Sequence, residues 1–292
     1  CDSGFGHLIA KSLNQYGFNV IAACLFPDGE GAKSLQLESK FPDNLTILKM
    51  DVTKDEDIEI VHKEIENLTA NGIELWGLVN NAGIARAGEI EWGSFEFHFK
   101  QIFEVNTMAV IKITRKFLPL LRKSKGRVIN MCSSFCRFTV DGSVAYAMTK
   151  HAIASFSDGL RREMSKFGVK VVNIEPFFYS TNIIKNIDGI IRETWEQTDA
   201  SIRDDYSIEY LKDRVYFVKN IALPLFERKK PEEVSNAVVD SLTSRITEPK
   251  FTCSATLLRP LIALLHLLPL EVVDLLFISS LATRFPPKNK KN

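Results

Sequence analysis

Long apolar runs, charge of a single sign and paired cysteines are all scarce in this sequence. The leucine-dense stretch from Leu257 to Leu281 is interrupted by Arg259, Pro260, Pro269, Glu271 and Asp274. No run therefore reaches the ~20 apolar residues that a spanning helix needs. Lys plus Arg number 37 against 36 Asp plus Glu, a formal charge of +1, which leaves no long-range field to hold nucleic acid. Five cysteines, Cys1, Cys24, Cys132, Cys136 and Cys253, match neither a CxxC pair nor a zinc spacing and read as reduced structural thiols. The five histidines share no metal spacing, and no metal site is expected. The first residues lack a basic-then-apolar leader and open on the turn Cys1-Asp2-Ser3-Gly4-Phe5-Gly6, which reads as a cut beginning.

What is present suits a folded chain: 292 residues, 45% hydrophobic and 25% charged, enough for a sizeable core. Short apolar runs at 19–25, 45–52, 76–80, 127–132 and 169–174 alternate with helical periodicity and read as strands apolar on both faces. Such strands, joined by helices rather than hairpins, predict an α/β fold with a doubly wound parallel sheet. Thr53-Lys54-Asp55-Glu56 reads as a capping box, placing Asp51 at a strand's carboxyl end. No Ser/Gly linker or repeat divides the chain, so residues 1–292 are expected to form one domain. Within it, 177–230 is an irregular insertion over the site, a helix opens at Pro231, and 255–282 is a leucine-rich C-terminal segment.

In an open α/β sheet the ligand sits beyond the strands' carboxyl ends. Gly4 and Gly6, just before the amphipathic run Leu8 to Tyr16, suit a turn whose bare backbone approaches a pyrophosphate at a helix N-terminus. Asn80-Asn81-Ala82-Gly83 follows an apolar strand, where it can brace that turn or simply form a polar turn. Tyr146 and Lys150 stand four apart, which stacks them on one helical face. Ser133 lies just past the strand ending at Cys132, and Asn106 sits in the helical run from Phe95 to Arg122.

Taken together these residues resemble the short-chain dehydrogenases/reductases, a Rossmann-like family with a glycine turn, an NNAG and an Asn, Ser, Tyr, Lys tetrad in this order. Ser133 is thirteen residues before Tyr146, and Lys150 is four after it. Residues 1–6, 76–84, 125–130 and 156–162 are similar to the subgroup of retinol dehydrogenases, 17β-hydroxysteroid dehydrogenases and D-3-hydroxybutyrate dehydrogenase. The resemblance implies hydride transfer between an alcohol and a nicotinamide. Tyr146 is then the acid/base, Lys150 supports it and bonds the ribose, Ser133 steadies the substrate oxygen, and Asn106 holds a relay water. It also implies cofactor contacts from Gly4, Gly6, Asp51, Asn80, Ala82, Gly83, Tyr146, Lys150 and Thr181.

Two departures follow from the same resemblance. The family has a further strand before Cys1, at the middle of the sheet. Its absence from this chain predicts two unpaired strand edges and weak binding of NAD by these 292 residues. Phe177 stands where the family carries a glycine, and its Cβ is expected to restrict backbone approach to the nicotinamide.

NAD is expected over NADP, because Cys24-Leu25-Phe26-Pro27 offers no cation to a 2′-phosphate and Asp2 sits in the turn. Lys33 remains able to swing in, and Asp28 is a candidate partner for the ribose hydroxyls. Phe135, Phe138, Val140, Phe177, Phe178 and Tyr179 point to a lipidic alcohol, retinoid or steroid. 3-Hydroxybutyrate is the rival, with Arg137 or Arg86 for its carboxylate. A non-catalytic NAD-binding scaffold is the alternative of another class. Segment 255–282 suits peripheral contact with a bilayer or with a partner subunit in a homo-oligomer. The expected setting is intracellular, with association to endoplasmic reticulum or mitochondrial membrane left open.

Overall fold

The structure is a computed structural model and describes residues 1–255, 259, 260, 264 and 267–281. Much of the leucine-rich segment, with His266 and the basic tail after Leu281, lies outside the described residues. Among the described residues, six parallel strands carry the fold: β1 (Val20–Cys24), β2 (Leu45–Lys49), β3 (Gly77–Asn80), β4 (Arg127–Met131), β5 (Lys170–Pro176) and β6 (Lys250–Cys253). β4 is buried along its whole length, as a central strand covered on both faces must be. Full burial of Val128 and Ile129 there contributes about 1.5–3 kcal/mol each. β2, at the edge, is partly exposed.

The sheet is divided. β1 pairs with β2, and β3-β4-β5-β6 form a separate four-stranded sheet in that order. The facing edges of β1 and β3 are not paired with one another, and a cavity of about 810 Å3 bordered by Val20, Ile21, Leu78 and Val79 lies between them. What holds the halves together is a hydrophobic cluster spanning both: Val20 and Ala22 of β1 join Ile129, Met131, Val172 and Ile174 of β4 and β5. Helices α1 (Gly4–Gln15) and α8 (Glu232–Thr243) add Ile9, Ala10, Leu13, Val234 and Val238 to it.

Helices α2 (Glu30–Leu37), α3 (Asp55–Ala70), α4 (Ala109–Ser124) and α5 (Val144–Met164) connect the strands. On the other face of the sheet, α3, α4 and α5 bury Ile58, Val61, Phe117, Leu121 and Leu160 against Val128 and Val171. Two π-helical turns, Glu96–Lys100 and Glu104–Met108, precede α4, and the second contains Asn106.

Several expectations need correction. No capping box forms at Thr53: α3 starts at Asp55 without a side-chain cap, because Thr53 gives both its N–H and its hydroxyl to Asp51, at 3.0 and 2.7 Å. Three acids in the first turn, Asp55, Glu56 and Asp57, favour the helix start instead through its dipole. The stretch 177–230 is largely helical rather than irregular, with α6 (Ile187–Glu196) and α7 (Ala200–Phe217). Its periodicity is broken by the left-handed Ser207, φ 72°. The fourth strand of the larger sheet, β6, is short and lies far along the chain from its partner β5, so local pattern does not reveal it. A last helix, α9 (Leu270–Leu281), carries exposed Leu270 and Leu275. Among the described residues, no helix is long and apolar enough to cross a membrane.

Candidate active site

The site is built on the carboxyl ends of β3, β4 and β5. Asn80 closes β3 and donates to Thr114 Oγ1 at 2.9 Å and to Asn130 Oδ1 at 2.8 Å. Asn130 in turn donates to Ser157 Oγ at 2.7 Å, and Ser157 to the Ile153 carbonyl at 2.7 Å. All four side chains are buried, and this chain of bonds ties β3, β4, α4 and α5 together. The first asparagine of the NNAG motif is thus a structural brace here.

The second, Asn81, faces the glycine turn. A Cβ on Gly6 would come within 2.6 Å of Asn81 Nδ2, and Gly4 adopts φ +60°, a backbone region that suits glycine. Between turn and brace runs the cavity, lined by Gly4, Gly6, Asp51, Asn80, Ala82, Gly83 and Thr181. The expected cofactor residues outside the tetrad all line this cavity. Asp51 keeps its bland contacts as well, and the Thr53 hydroxyl and amide hold its carboxyl below its usual pKa.

Of the tetrad, Asn106 is the most tightly held. Its Oδ1 accepts from the Ile84 N–H and its Nδ2 donates to the Ile84 carbonyl, both at 2.9 Å. A third bond, at 3.2 Å, runs from Nδ2 to Thr149 Oγ1, and Thr149 donates to the Tyr146 carbonyl at 2.7 Å. Thr149 escaped the sequence reading, though it sits between Tyr146 and Lys150. The Lys150 ammonium donates to the Met131 carbonyl at 3.0 Å and lies 5.6 Å from the Tyr146 ring centroid. Ser133 follows Met131 by two residues and caps the turn Ser134–Cys136 by accepting from the Phe135 N–H at 3.2 Å. The Phe135 ring meets the Tyr146 ring edge-on, centroids 6.0 Å apart. Asn106, Ser133, Tyr146 and Lys150 are thus joined through short relays around the end of β4.

Aromatic rings continue outward from Tyr146. Phe135 packs on Phe138 and Phe178, and Phe177 on Phe138, Phe178 and Phe226, with centroids 4.9–6.3 Å apart. Phe226 lies within 177–230 and carries no signal in the sequence. Phe177 buries its ring in this wall and gives its N–H to the Cys253 carbonyl. The left-handed residue is its neighbour Phe178, φ 23°. Arg137 is bound to the buried Glu175, at 2.6 and 3.3 Å. Arg86 donates to the Ala85 and Phe97 carbonyls and to Gln101 and lies on the face of the Phe97 ring, with the Glu193 carboxylate near enough to favour its charge. Among the described residues, no three His, Cys, Asp or Glu side chains converge as a metal site.

The short chain dehydrogenase family model matches residues 1–189. The chain belongs to that family. It is 39% identical over 223 residues to retinol dehydrogenase 7 of Mus musculus, covering 76% of this chain and 68% of the relative. It is 38% identical over 224 residues to the mitochondrial D-beta-hydroxybutyrate dehydrogenase of Rattus norvegicus, covering 74% and 64%. The chain thus spans about two thirds of the length of these dehydrogenases. A solved short-chain dehydrogenase from Streptomyces avermitilis superposes with a TM-score of 0.71 at 23% identity, over 96% of this chain and 94% of that one. The α/β, doubly wound reading of the sequence is borne out by that likeness, and the subgroup resemblance by the two relatives.

Proposed function

We propose that this protein is an NAD-preferring alcohol dehydrogenase/ketone reductase acting on a bulky apolar alcohol of the retinoid or steroid kind. The observation that carries the reaction class is the Lys150 ammonium set 5.6 Å from the Tyr146 ring, within a network that also holds Asn106 and Ser133. The dinucleotide fits the bare turn at Gly4 and Gly6, where any Cβ on Gly6 would strike Asn81, and Asp51 and Thr181 face the same cavity. A nicotinamide bound there supplies the hydride acceptor in one direction and the donor in the other. Tyr146 takes the hydroxyl proton during oxidation and returns it during reduction. Lys150, anchored on the Met131 carbonyl, sets positive potential beside the phenol. Ser133 steadies the substrate oxygen, and Asn106 fixes the backbone at Ile84 beside the cavity.

Preference for NAD rests on Asp2, which accepts from the Leu25 and Phe26 amides at 2.9 and 2.8 Å just past β1. Burial opposes its ionisation, yet those two amides hold its pKa below the usual value. A fixed carboxylate there repels a 2′-phosphate. Preference for an apolar alcohol rests on the aromatic wall and on Arg137, whose charge is already taken by Glu175. Burying ~200 Å2 of such an alcohol at roughly 25 cal/mol per Å2 contributes about 5 kcal/mol. The second reading, a 3-hydroxy acid, is favoured by Arg86, whose hydrogen-bond partners are neutral.

The test is kcat/KM of the full-length chain with NAD and NADP against all-trans-retinol, a hydroxysteroid and 3-hydroxybutyrate. NAD with an apolar alcohol is expected to win. A clear advantage for 3-hydroxybutyrate overturns the substrate class, and NAD binding without turnover of any alcohol overturns the enzyme in favour of a scaffold.

A further inference from the structure

An ionic cluster around a buried arginine stands outside the reacting groups, where 177–230 meets the rest of the chain. Arg214 of α7 is 8% exposed, and its Nη1 lies 2.7 Å from Glu89 Oε1 and 3.0 Å from Asp141 Oδ2. Glu89 follows the NNAG segment, whereas Asp141 belongs to the loop leading into α5. Tyr210 donates to Glu89 at 2.7 Å and Tyr206 to Glu91 at 2.8 Å. Trp92 packs edge-on against Trp195, Tyr206 and Tyr210.

The contact with Gly142 gives the cluster its direction. Gly142 adopts φ +72°, and a Cβ there would fall 1.8 Å from Arg214 Nη2. The guanidinium thus occupies the space a side chain would need. The Gly142 carbonyl accepts from the Gly88 N–H at 3.0 Å, so the two loops are also joined by backbone. The next residue, Ser143, gives its hydroxyl to the Val140 carbonyl at 2.6 Å and accepts at its own carbonyl from the Ala147 N–H at 2.8 Å. Tyr146 sits inside that first turn of α5, and a displacement at 141–142 passes to it without a flexible residue between.

We propose that Arg214 is a positioning residue for Tyr146: held by Glu89 and Asp141 and seated on Gly142, its guanidinium sets the entrance of α5 and registers the insertion on it. This rests on the reading of Tyr146 as the acid/base. Arg214 touches no reacting atom in this account and acts through the loop alone. A guanidinium is needed rather than a point charge, since Nη1 pairs with two carboxylates while Nη2 fills the space where a Cβ of residue 142 would lie.

The experiment compares wild type with R214M, R214K and D141N in the full-length chain. All-trans-retinol and NAD are the probes, with hydrogen exchange read over residues 141–149. Asp141 is 41% exposed at its side chain, so D141N keeps the test alive if R214M fails to fold. The expected result for R214M is a kcat lowered by at least about tenfold with KM for retinol and NAD within about threefold. R214K should fall between, D141N should lose kcat several-fold, and exchange at the Ala147 amide should quicken in each. Unchanged kcat in folded R214M and D141N, unchanged exchange, or a rise in KM alone overturns the proposal. A wild-type chain that binds NAD but oxidises no alcohol removes the functional reading and this proposal together, whereas an active wild type with indifferent variants removes only the proposal.

Discussion

The four-stranded sheet β3–β6 and the two-stranded sheet β1–β2 face one cavity, yet they hold their functional groups by different means. On the larger side, Asn80, Asn130 and Ser157 cross the strands in a buried chain of side-chain hydrogen bonds, one residue along β4 from the Met131 carbonyl that holds Lys150. On the smaller side, the turn at Gly4 and Gly6 is placed by backbone conformation and by one half-exposed carboxylate, Asp2. Buried polar networks resist displacement because every broken bond leaves an orphaned group. The lesson is that the proposed acid/base geometry is over-determined by the core, while the dinucleotide end depends on a few close approaches. Damage to the first should appear in kcat or in stability, and damage to the second in cofactor affinity.

The largest effect that would sharpen this contrast is expected from Lys150→Met. Loss of the ammonium should lower kcat by at least about 100-fold, while the melting temperature moves little; steady-state kinetics with a melting curve check it. Next comes Asn130→Ala, which takes one buried partner from Asn80 and one from Ser157 and should destabilise the fold by about 2–3 kcal/mol, read by urea unfolding. Gly6→Ala comes third. Its Cβ would press on Asn81 Nδ2 at 2.6 Å, and pushing that side chain aside should weaken NAD binding by about tenfold, some 1.4 kcal/mol, with kcat at saturating cofactor nearly unchanged. A kcat loss there as large as that of Lys150→Met would break the comparison.

The smallest effect concerns pH. The Asp2 carboxyl has its pKa depressed from 3.8, and burial only partly offsets the amides of Phe26 and Leu25. A depressed acid contributes stability above its unfolded value, and the contribution is lost as pH falls through the folded one. Asp2→Asn should therefore lower stability at neutral pH by less than about 1 kcal/mol and flatten the acid limb below about pH 4. Acid unfolding of the two proteins side by side measures it.

The sequence exposed the continuous half best, for reasons visible in particular residues. β4 carries Val128, Ile129 and Met131 and is buried throughout, and Tyr146 and Lys150 share a helix, so local spacing already carries their proximity. The brace made by Asn80 was read as a turn or cofactor contact, because its partner Asn130 looks in sequence like any polar residue in a strand. Thr149 stood inside the motif, but its bond to Asn106 depends on how two distant helices pack. β6 and Phe226 left no local trace, since each acquires its place only from a partner far along the chain. The helices of 177–230 were missed because Ser207 breaks the period and charged residues dilute it. Nothing in the sequence distinguishes Arg214; only the fold reveals Glu89, Asp141 and Gly142 around it.

The most direct measurement of the central claim is Tyr146→Phe in the full-length protein, with NAD affinity by calorimetry and alcohol oxidation on the same sample. If the phenol oxygen moves the proton, turnover falls by about 1,000-fold or more while NAD affinity stays within a factor of about two. Turnover within about tenfold of wild type, with NAD still bound, would contradict the assignment of Tyr146 as the acid/base.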